Sequence, residues 1–293
     1  MKKLKYALFT GCTAKQSTPE QMMSTLAVAK KLNIELIELT EASCCGASHL
    51  QDYDDFLSLV LNARNIAYAE KHELTMVTIC NTCQLNTAMT KHRLDNNAEL
   101  KAKVNEKLAE VGLEYKGTSN VIHFLYAIID DIGLDKIKEM VVTPLSQFNI
   151  APFYGCHNIR PSELQNESHK SKENPYNPTS LDDLIIACGG MNVDYTEKNK
   201  CCGFHVELQA PKTASILTGN AIAGAMDGNA DMMVTPCPLC HLKLDTQTKH
   251  ASEAIGREVE LPILHMQQML GLALGCPADE LGLKHHLSKV NFI

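Results

Sequence analysis

Ten of the 12 cysteines fall into two sets of five in the same order, four of each set with identical spacing, and these are the residues best suited to chemistry. Cys44 adjoins Cys45 and Cys201 adjoins Cys202, while Cys80/Cys83 and Cys237/Cys240 form CxxC pairs. Cys44, Cys45, Gly46, Cys80 and Cys83 recur 157 positions later as Cys201, Cys202, Gly203, Cys237 and Cys240, without a gap. Upstream, Ala7, Phe9, Gly11 and Cys12 recur 144 positions later as Ala151, Phe153, Gly155 and Cys156, so the second copy carries 13 additional residues. A zinc site takes four ligands, whereas each copy offers five thiols: Cys12, Cys44, Cys45, Cys80 and Cys83, then Cys156, Cys201, Cys202, Cys237 and Cys240. Adjacent cysteines seldom both reach one small tetrahedral ion but can reach different metal atoms of a larger centre, so an iron–sulfur cluster fits better than zinc. Structural disulfides fit poorly, because the chain shows no sign of secretion.

Histidines gather around the second copy. His157 follows Cys156, His205 lies two residues after Gly203, and His241 follows Cys240; copy one has Thr13, Ser48 and Gln84 in those places, with His49 one position away. One reading is hydrogen bonding to ligand sulfur or backbone. The other is proton delivery by a side chain that titrates near neutral pH, which makes His157, His205 and His241 candidate catalytic residues and copy two the reactive end. Cys188 and Cys276 end apolar runs outside both repeats and read as packed thiols.

The elements that must position these groups read as α/β. Lys5–Thr10, Ile34–Leu39 and Leu74–Ile79 have the length and apolar character of buried strands, and Phe148–Tyr154, Met191–Tyr195 and Asp231–Thr235 match them in copy two. Pro19–Leu32, Asp54–Lys71, Leu181–Cys188 and Pro211–Met226 carry helical periodicity between them. Such alternation predicts two tandem, pseudo-symmetric domains, 1–143 and 144–293, each a small parallel sheet with flanking helices. The cysteines then lie at or just beyond strand ends, where open α/β sheets place their sites. Leu100–Val111 and Val121–Val141 read as linker helices. Ser162–Pro178 is polar and ends in prolines, so it reads as a surface loop that accounts for much of the insertion.

Composition excludes other classes. Lys plus Arg number 27 against 34 Asp plus Glu, a formal charge of −7 with no basic tract, so a nucleic-acid partner is not expected. Neither a signal peptide nor a run of 18 apolar residues is present. Met266, Met269, Leu270, Ala273 and Leu274 form a helical stripe, and Val121–Ile132 is strongly apolar; both read first as core and second as amphipathic docking surfaces.

The segments GCTAKQSTPE, EASCCGASHLQDYDDF, ICNTCQ, FYGCHNIRP, KCCGFHVELQAP and TPCPLCHLK resemble the cysteine-rich CCG domain. That domain occurs twice in the B subunit of heterodisulfide reductase and in the E subunit of non-classical succinate dehydrogenases and methylmenaquinol:fumarate reductases, and the resemblance spans essentially the whole chain. It implies two 4Fe-4S clusters of non-cubane type, one per set of five cysteines, with zinc in one copy left open. The motifs are closest to the E type. On that reading, a partner flavoprotein interconverts succinate and fumarate, a ferredoxin-like subunit carries electrons, and this chain exchanges them with a quinone from a peripheral position on the inner membrane. The B-type reading is a subunit that reduces a disulfide or sulfur compound.

Overall fold

Short, continuously apolar strands flanked by longer helices suit a parallel sheet covered on both faces. In the computed structural model, which describes residues 3–47, 49–288 and 290, this happens twice. Strands β1 (Leu4–Phe9), β2 (Ile34–Glu38), β3 (Met76–Thr78) and β4 (Val121–His123) form one parallel sheet in the order β2-β1-β3-β4. Strands β5 (Asn149–Pro152), β6 (Met191–Asn192), β7 (Met232–Thr235) and β8 (Ile263–His265) form the other, in the order β6-β5-β7-β8. The order reverses direction between β1 and β3, and between β5 and β7, so each sheet has a crevice at the carboxyl ends of those strands.

The two sheets do not have separate interiors. Alternate side chains of β1 and its counterpart β5 enter different cores: Ala7, Phe9, Ala151 and Phe153 share one apolar cluster, whereas Tyr6, Leu8 and Ile150 share another. Both clusters therefore run through both repeats. Helices also cross over. The helix Pro19–Lys31 packs on Met266–Ala273 of the second repeat, and Leu164 of the helix Ser162–Ser168 packs on Leu85 and Ala88 of the first.

The fourth strands and the insertion depart from expectation. Val121–Val141 is not one helix: it comprises β4, a helical turn Phe124–Ala127, a π-helical turn Ile128–Ile132 and the helix Leu134–Met140. Ser162–Pro178 is not simply a surface loop, since it begins with a helix and buries Gln165, His169 and Glu173. Ser24 Oγ donates to Gln21 O (3.1 Å) and, 144 positions on, Ser168 Oγ donates to Gln165 O (2.7 Å). At the far end of the same helix, Leu32 N donates to Val28 O, and Cys188 N donates to Leu184 O at an offset of 156. The helix Pro19–Lys31 is thus split in copy two into Ser162–Ser168 and Ser180–Ala187, with twelve of the extra residues inserted between the halves. That insertion is pinned by its polar groups. His169 stacks on Tyr126 with ring centroids 3.7 Å apart, Lys170 N donates to Asp130 Oδ2 (2.6 Å), and the Glu173 carboxylate accepts from Tyr126 Oη (3.2 Å) and Thr179 N (2.8 Å).

The stripe Met266, Met269, Leu270, Ala273 and Leu274 is buried throughout, as are Val121–Ile128. Both stretches are thus core, the first of their two readings, with Ile129 and Ile132 partly buried against it. Cys188 and Cys276 are likewise buried among apolar side chains.

A candidate site of ten cysteines shared by both repeats

Each cysteine occupies a position that backbone geometry makes available at the strand ends. Cys12 opens the turn after β1 and Cys156 follows β5; the glycines before them, Gly11 and Gly155, have φ of 75° and 67°. A Cβ on Gly11 would lie 3.1 Å from Cys83 Sγ, and one on Gly155 only 2.9 Å from Cys240 Sγ, so a side chain at either would intrude on a thiol. The double cysteines sit in the loops beyond β2 and β6. They are followed by Gly46 (φ 87°) and Gly203 (φ 95°), whose amides donate to Cys44 Sγ (3.4 Å) and Cys201 Sγ (3.3 Å). Cys80 and Cys237 are the N-caps of the helices Asn81–Asp95 and Pro238–Thr246, which places Cys83 and Cys240 in the first turn. The positive end of each helix dipole thus faces its CxxC pair and favours thiolate.

The thiols meet in one unbroken series. Cys12 Sγ lies 3.4 Å from Cys44 Sγ, and Cys83 Sγ lies 3.5 Å from Cys45 Sγ, well beyond a disulfide bond of about 2.05 Å. Thiols close enough to perturb one another's ionisation run in the order Cys12, Cys44, Cys45, Cys83, Cys80, then across to Cys237, and on through Cys240, Cys202 and Cys201 to Cys156. The series is symmetric about the Cys80–Cys237 contact, where one repeat touches the other. Among the five of copy one, Cys12 and Cys44 are exposed and the rest buried; Cys156 and Cys201 are half-buried in copy two.

This donor set fits a polynuclear thiolate-bound centre in each repeat. All five cysteines of copy one line a single cavity of ≈160 Å³, walled on its other side by Phe204, Pro238 and Leu239 of copy two. Hydrogen bonds from neighbouring cysteines, reinforced by burial, push the Cys83, Cys202 and Cys240 thiols above the usual cysteine range. Thiols packed this closely cannot all ionise unless cations lie among them, which is what bound metal would provide.

The histidines divide. His157 and His205 come together with ring centroids 4.6 Å apart, joined through Thr82 Oγ1, which lies 3.0 Å from His157 Nδ1 and 3.1 Å from His205 Nε2. Thr82 is an internal residue of copy one's own CxxC, so the copy-two histidines lean on the other repeat. Its counterpart 157 positions later is Leu239. Burial lowers both His157 and His205 below the usual histidine range. The His49 ring is 6.1 Å from that of His205. His241 is not brought to this group. It is buried elsewhere, with Nε2 3.0 Å from Ile263 O and 3.0 Å from His286 Nδ1, and its ring stacks on His265. Sequence reasoning missed Thr82; the signal available was the contrast between NT and PL inside the two CxxC pairs.

A second cavity of ≈470 Å³ adjoins the site. Its wall is mostly apolar, formed by Phe204, Leu208 and Leu242 with His49, and the Glu207–Lys243 ion pair borders it. Phe204 belongs to the walls of both cavities. Among the described residues no helix is long and apolar enough to cross a membrane.

Comparison with known proteins agrees with this arrangement. The family profile of the cysteine-rich domain CCG matches residues 6–87 and 150–245. The chain is 39% identical over 282 residues to the 8-methylmenaquinol:fumarate reductase membrane anchor subunit of Wolinella succinogenes, covering 96% of each. It is 34% identical over 293 residues to the B subunit of a ferredoxin/F(420)H(2)-dependent CoB-CoM heterodisulfide reductase from Methanosarcina acetivorans, covering 99% of this chain and 96% of the relative. A crystal structure of a hypothetical protein from Helicobacter pylori shares the fold, with a TM-score of 0.79 at 18% identity; the match covers all of this chain but only 53% of that one. Two domain matches, each containing one set of five cysteines at the ends of a parallel sheet, place the chain in the cysteine-rich CCG-domain family.

Proposed function

We propose that this chain is the redox subunit of a quinone-linked succinate dehydrogenase or fumarate reductase, holding one 4Fe-4S cluster of non-cubane type on each set of five cysteines. The observation that carries the redox reading is the continuous series of ten thiols. Cys12, Cys44, Cys45, Cys80 and Cys83 would hold one cluster and Cys156, Cys201, Cys202, Cys237 and Cys240 the other. Such clusters supply one-electron storage at adjoining positions. The relation to the membrane anchor of the methylmenaquinol:fumarate reductase supports the quinone as the electron partner, with a flavoprotein and a ferredoxin-like subunit completing the complex.

The chain's own residues supply the rest. A quinone exchanges protons as well as electrons, and His157 Nδ1, Thr82 Oγ1 and His205 Nε2 form a three-residue path across the join between repeats. The ≈470 Å³ cavity beside Phe204 is large enough for a quinone ring and apolar enough to exclude water from it. Its Leu208 is 77% exposed and Tyr53 is 91% exposed, which suits attachment to a membrane surface without a span. His241, turned away from the thiols, is outside this path.

The similarity to the heterodisulfide reductase relative favours one second reading, reduction of a disulfide at the same thiol-lined site. The test is the complex purified with its neighbours, assayed both for fumarate reduction by a reduced menaquinone analogue and for reduction of a thiol heterodisulfide. Quinone-linked turnover with about eight irons per chain is expected. Disulfide turnover without quinone turnover would install the second reading, and a colourless chain with zinc in place of iron would remove both.

A further inference from the structure

The buried histidine that does not face the thiols belongs to a second group of ligand-type side chains. Glu20, His241 and His265 are all buried, and one donor atom from each lies within 4.8 Å of the others. Glu20 Oε1 is 3.2 Å from His265 Nε2 and 4.0 Å from His241 Nδ1. The His286 ring lies 4.9 Å from that of His241. Ligands of a tetrahedral zinc ion, each about 2.0–2.1 Å from the metal, stand about 3.3–3.4 Å apart, so the three donors need only sub-ångström to ångström movements to surround one ion.

The first repeat matches His265 with His123 but shows why the other two residues exceed what the fold requires. Gln84, the counterpart of His241, uses Nε2 to bond Val121 O (3.3 Å) at the head of β4, and His241 uses Nε2 to bond Ile263 O (3.0 Å) at the head of β8. A glutamine therefore suffices to tie helix to strand. Replacing it with histidine adds a second ring nitrogen, and His241 Nδ1 has no hydrogen-bond partner although its side chain is only 3% exposed. An unpaired buried polar atom is costly unless something occupies it. Glu20 is also particular to this side, because its counterpart 144 positions later is Leu164, which packs against apolar side chains. A buried carboxylate beside a buried imidazole nitrogen with no protein partner is a ligand set.

We propose that Glu20, His241 and His265 bind one divalent zinc-type ion at a site separate from the ten cysteines. Two imidazoles and a carboxylate are a usual donor set for such an ion. The ion clasps the two repeats, since Glu20 belongs to the helix Pro19–Lys31 of the first and both histidines to the second. It also anchors the helix Pro238–Thr246, whose first turn carries Cys240.

The experiment uses the full chain as isolated anaerobically, without added chelator, and reads zinc and iron by elemental analysis and the zinc environment by X-ray absorption. About one zinc per chain, in addition to the iron, with only nitrogen and oxygen neighbours, is expected. Glu20→Gln and His265→Gln, both near-isosteric, should each lower zinc to about a tenth or less of wild type while leaving iron content unchanged. Sulfur in the zinc shell would assign the metal to the cysteines and overturn the proposal. So would a wild-type chain that takes up no zinc when dialysed against it, or undiminished zinc in both variants. The wild-type measurements decide the matter even if a variant fails to fold, and none depends on the redox partner of the thiol site.

Discussion

The two repeats hold their cysteines alike but surround them differently. Both place a positive-φ glycine before the first cysteine and after the double cysteine, and both use the first turn of a helix for the CxxC pair. The walls then diverge. Thr82, from copy one, presents a hydroxyl to His157 and His205, whereas Leu239, from copy two, helps close the cavity of copy one with Pro238 and Phe204. One crevice gains a hydrogen-bonded pair of imidazoles and the other an apolar lid. The repeated backbone thus frames the thiols, and side chains contributed by the opposite repeat make their surroundings differ.

Experiments that remove one member of each equivalent pair sharpen this contrast. The largest effect should come from the ligands. Cys45→Ser and Cys202→Ser should each remove roughly half the iron and one paramagnetic signal, whereas Cys80→Ser or Cys237→Ser, at the contact between repeats, should disturb both signals. If all four behaved identically, the two sites would not be separate centres. Next, Thr82→Val should lower turnover of the assembled complex by about 10²–10⁴ with iron content unchanged, while Leu239→Thr should leave turnover near wild type. Equal losses from both would show that the histidine wall has no special part in proton transfer. Among the glycines, a Cβ on Gly203 would meet Ala214 O at 2.5 Å and one on Gly46 would meet Leu50 Cβ at 2.6 Å. A clash with backbone is the harder to relieve, so Gly203→Ala should cost at least ~2–3 kcal/mol in chemical denaturation and Gly46→Ala less. The smallest effect concerns the insertion that only copy two has. Glu173→Gln removes charge from an acceptor of three described residues' hydrogen bonds and should cost ~1–2 kcal/mol, with cluster signals unaltered.

The gathering of the cysteines was legible because their spacing survives folding: an ungapped offset of 157 required equivalent loops, and the structure supplies them. The strands β1, β3, β5 and β7 were legible as short, mainly apolar runs between helical periods. β4 and β8 were not. Each has three residues and runs directly into an apolar helix, so no change of period marks the boundary; β4 reads as helix with the residues after it, and β8 adjoins the Met266–Leu274 stripe without a reading of its own. The repeat itself held the missing clue, since Val121-Ile122-His123 and Ile263-Leu264-His265 correspond at an offset of 142. The insertion was misread for a different reason. Its buried residues, Gln165, His169 and Glu173, are polar, and polar burial satisfied by hydrogen bonds leaves no hydrophobic pattern. His241 shows the limit of adjacency: it follows a ligand cysteine in sequence, but one helical step turns its ring toward β8.

The crossing of helices and the sharing of both apolar clusters have a consequence for how the chain is made. A ribosome-bound polypeptide that has emerged only as far as β4 has its first five cysteines in place, yet lacks Phe204, Pro238 and Leu239, which wall their cavity, and Ala151 and Phe153, which complete the apolar cluster around Ala7 and Phe9. Its thiols stand open to oxygen and to stray metal during that interval. If the five cysteines hold a cluster as proposed, loading of iron into the first repeat would follow synthesis of the second, whose side chains complete the cavity.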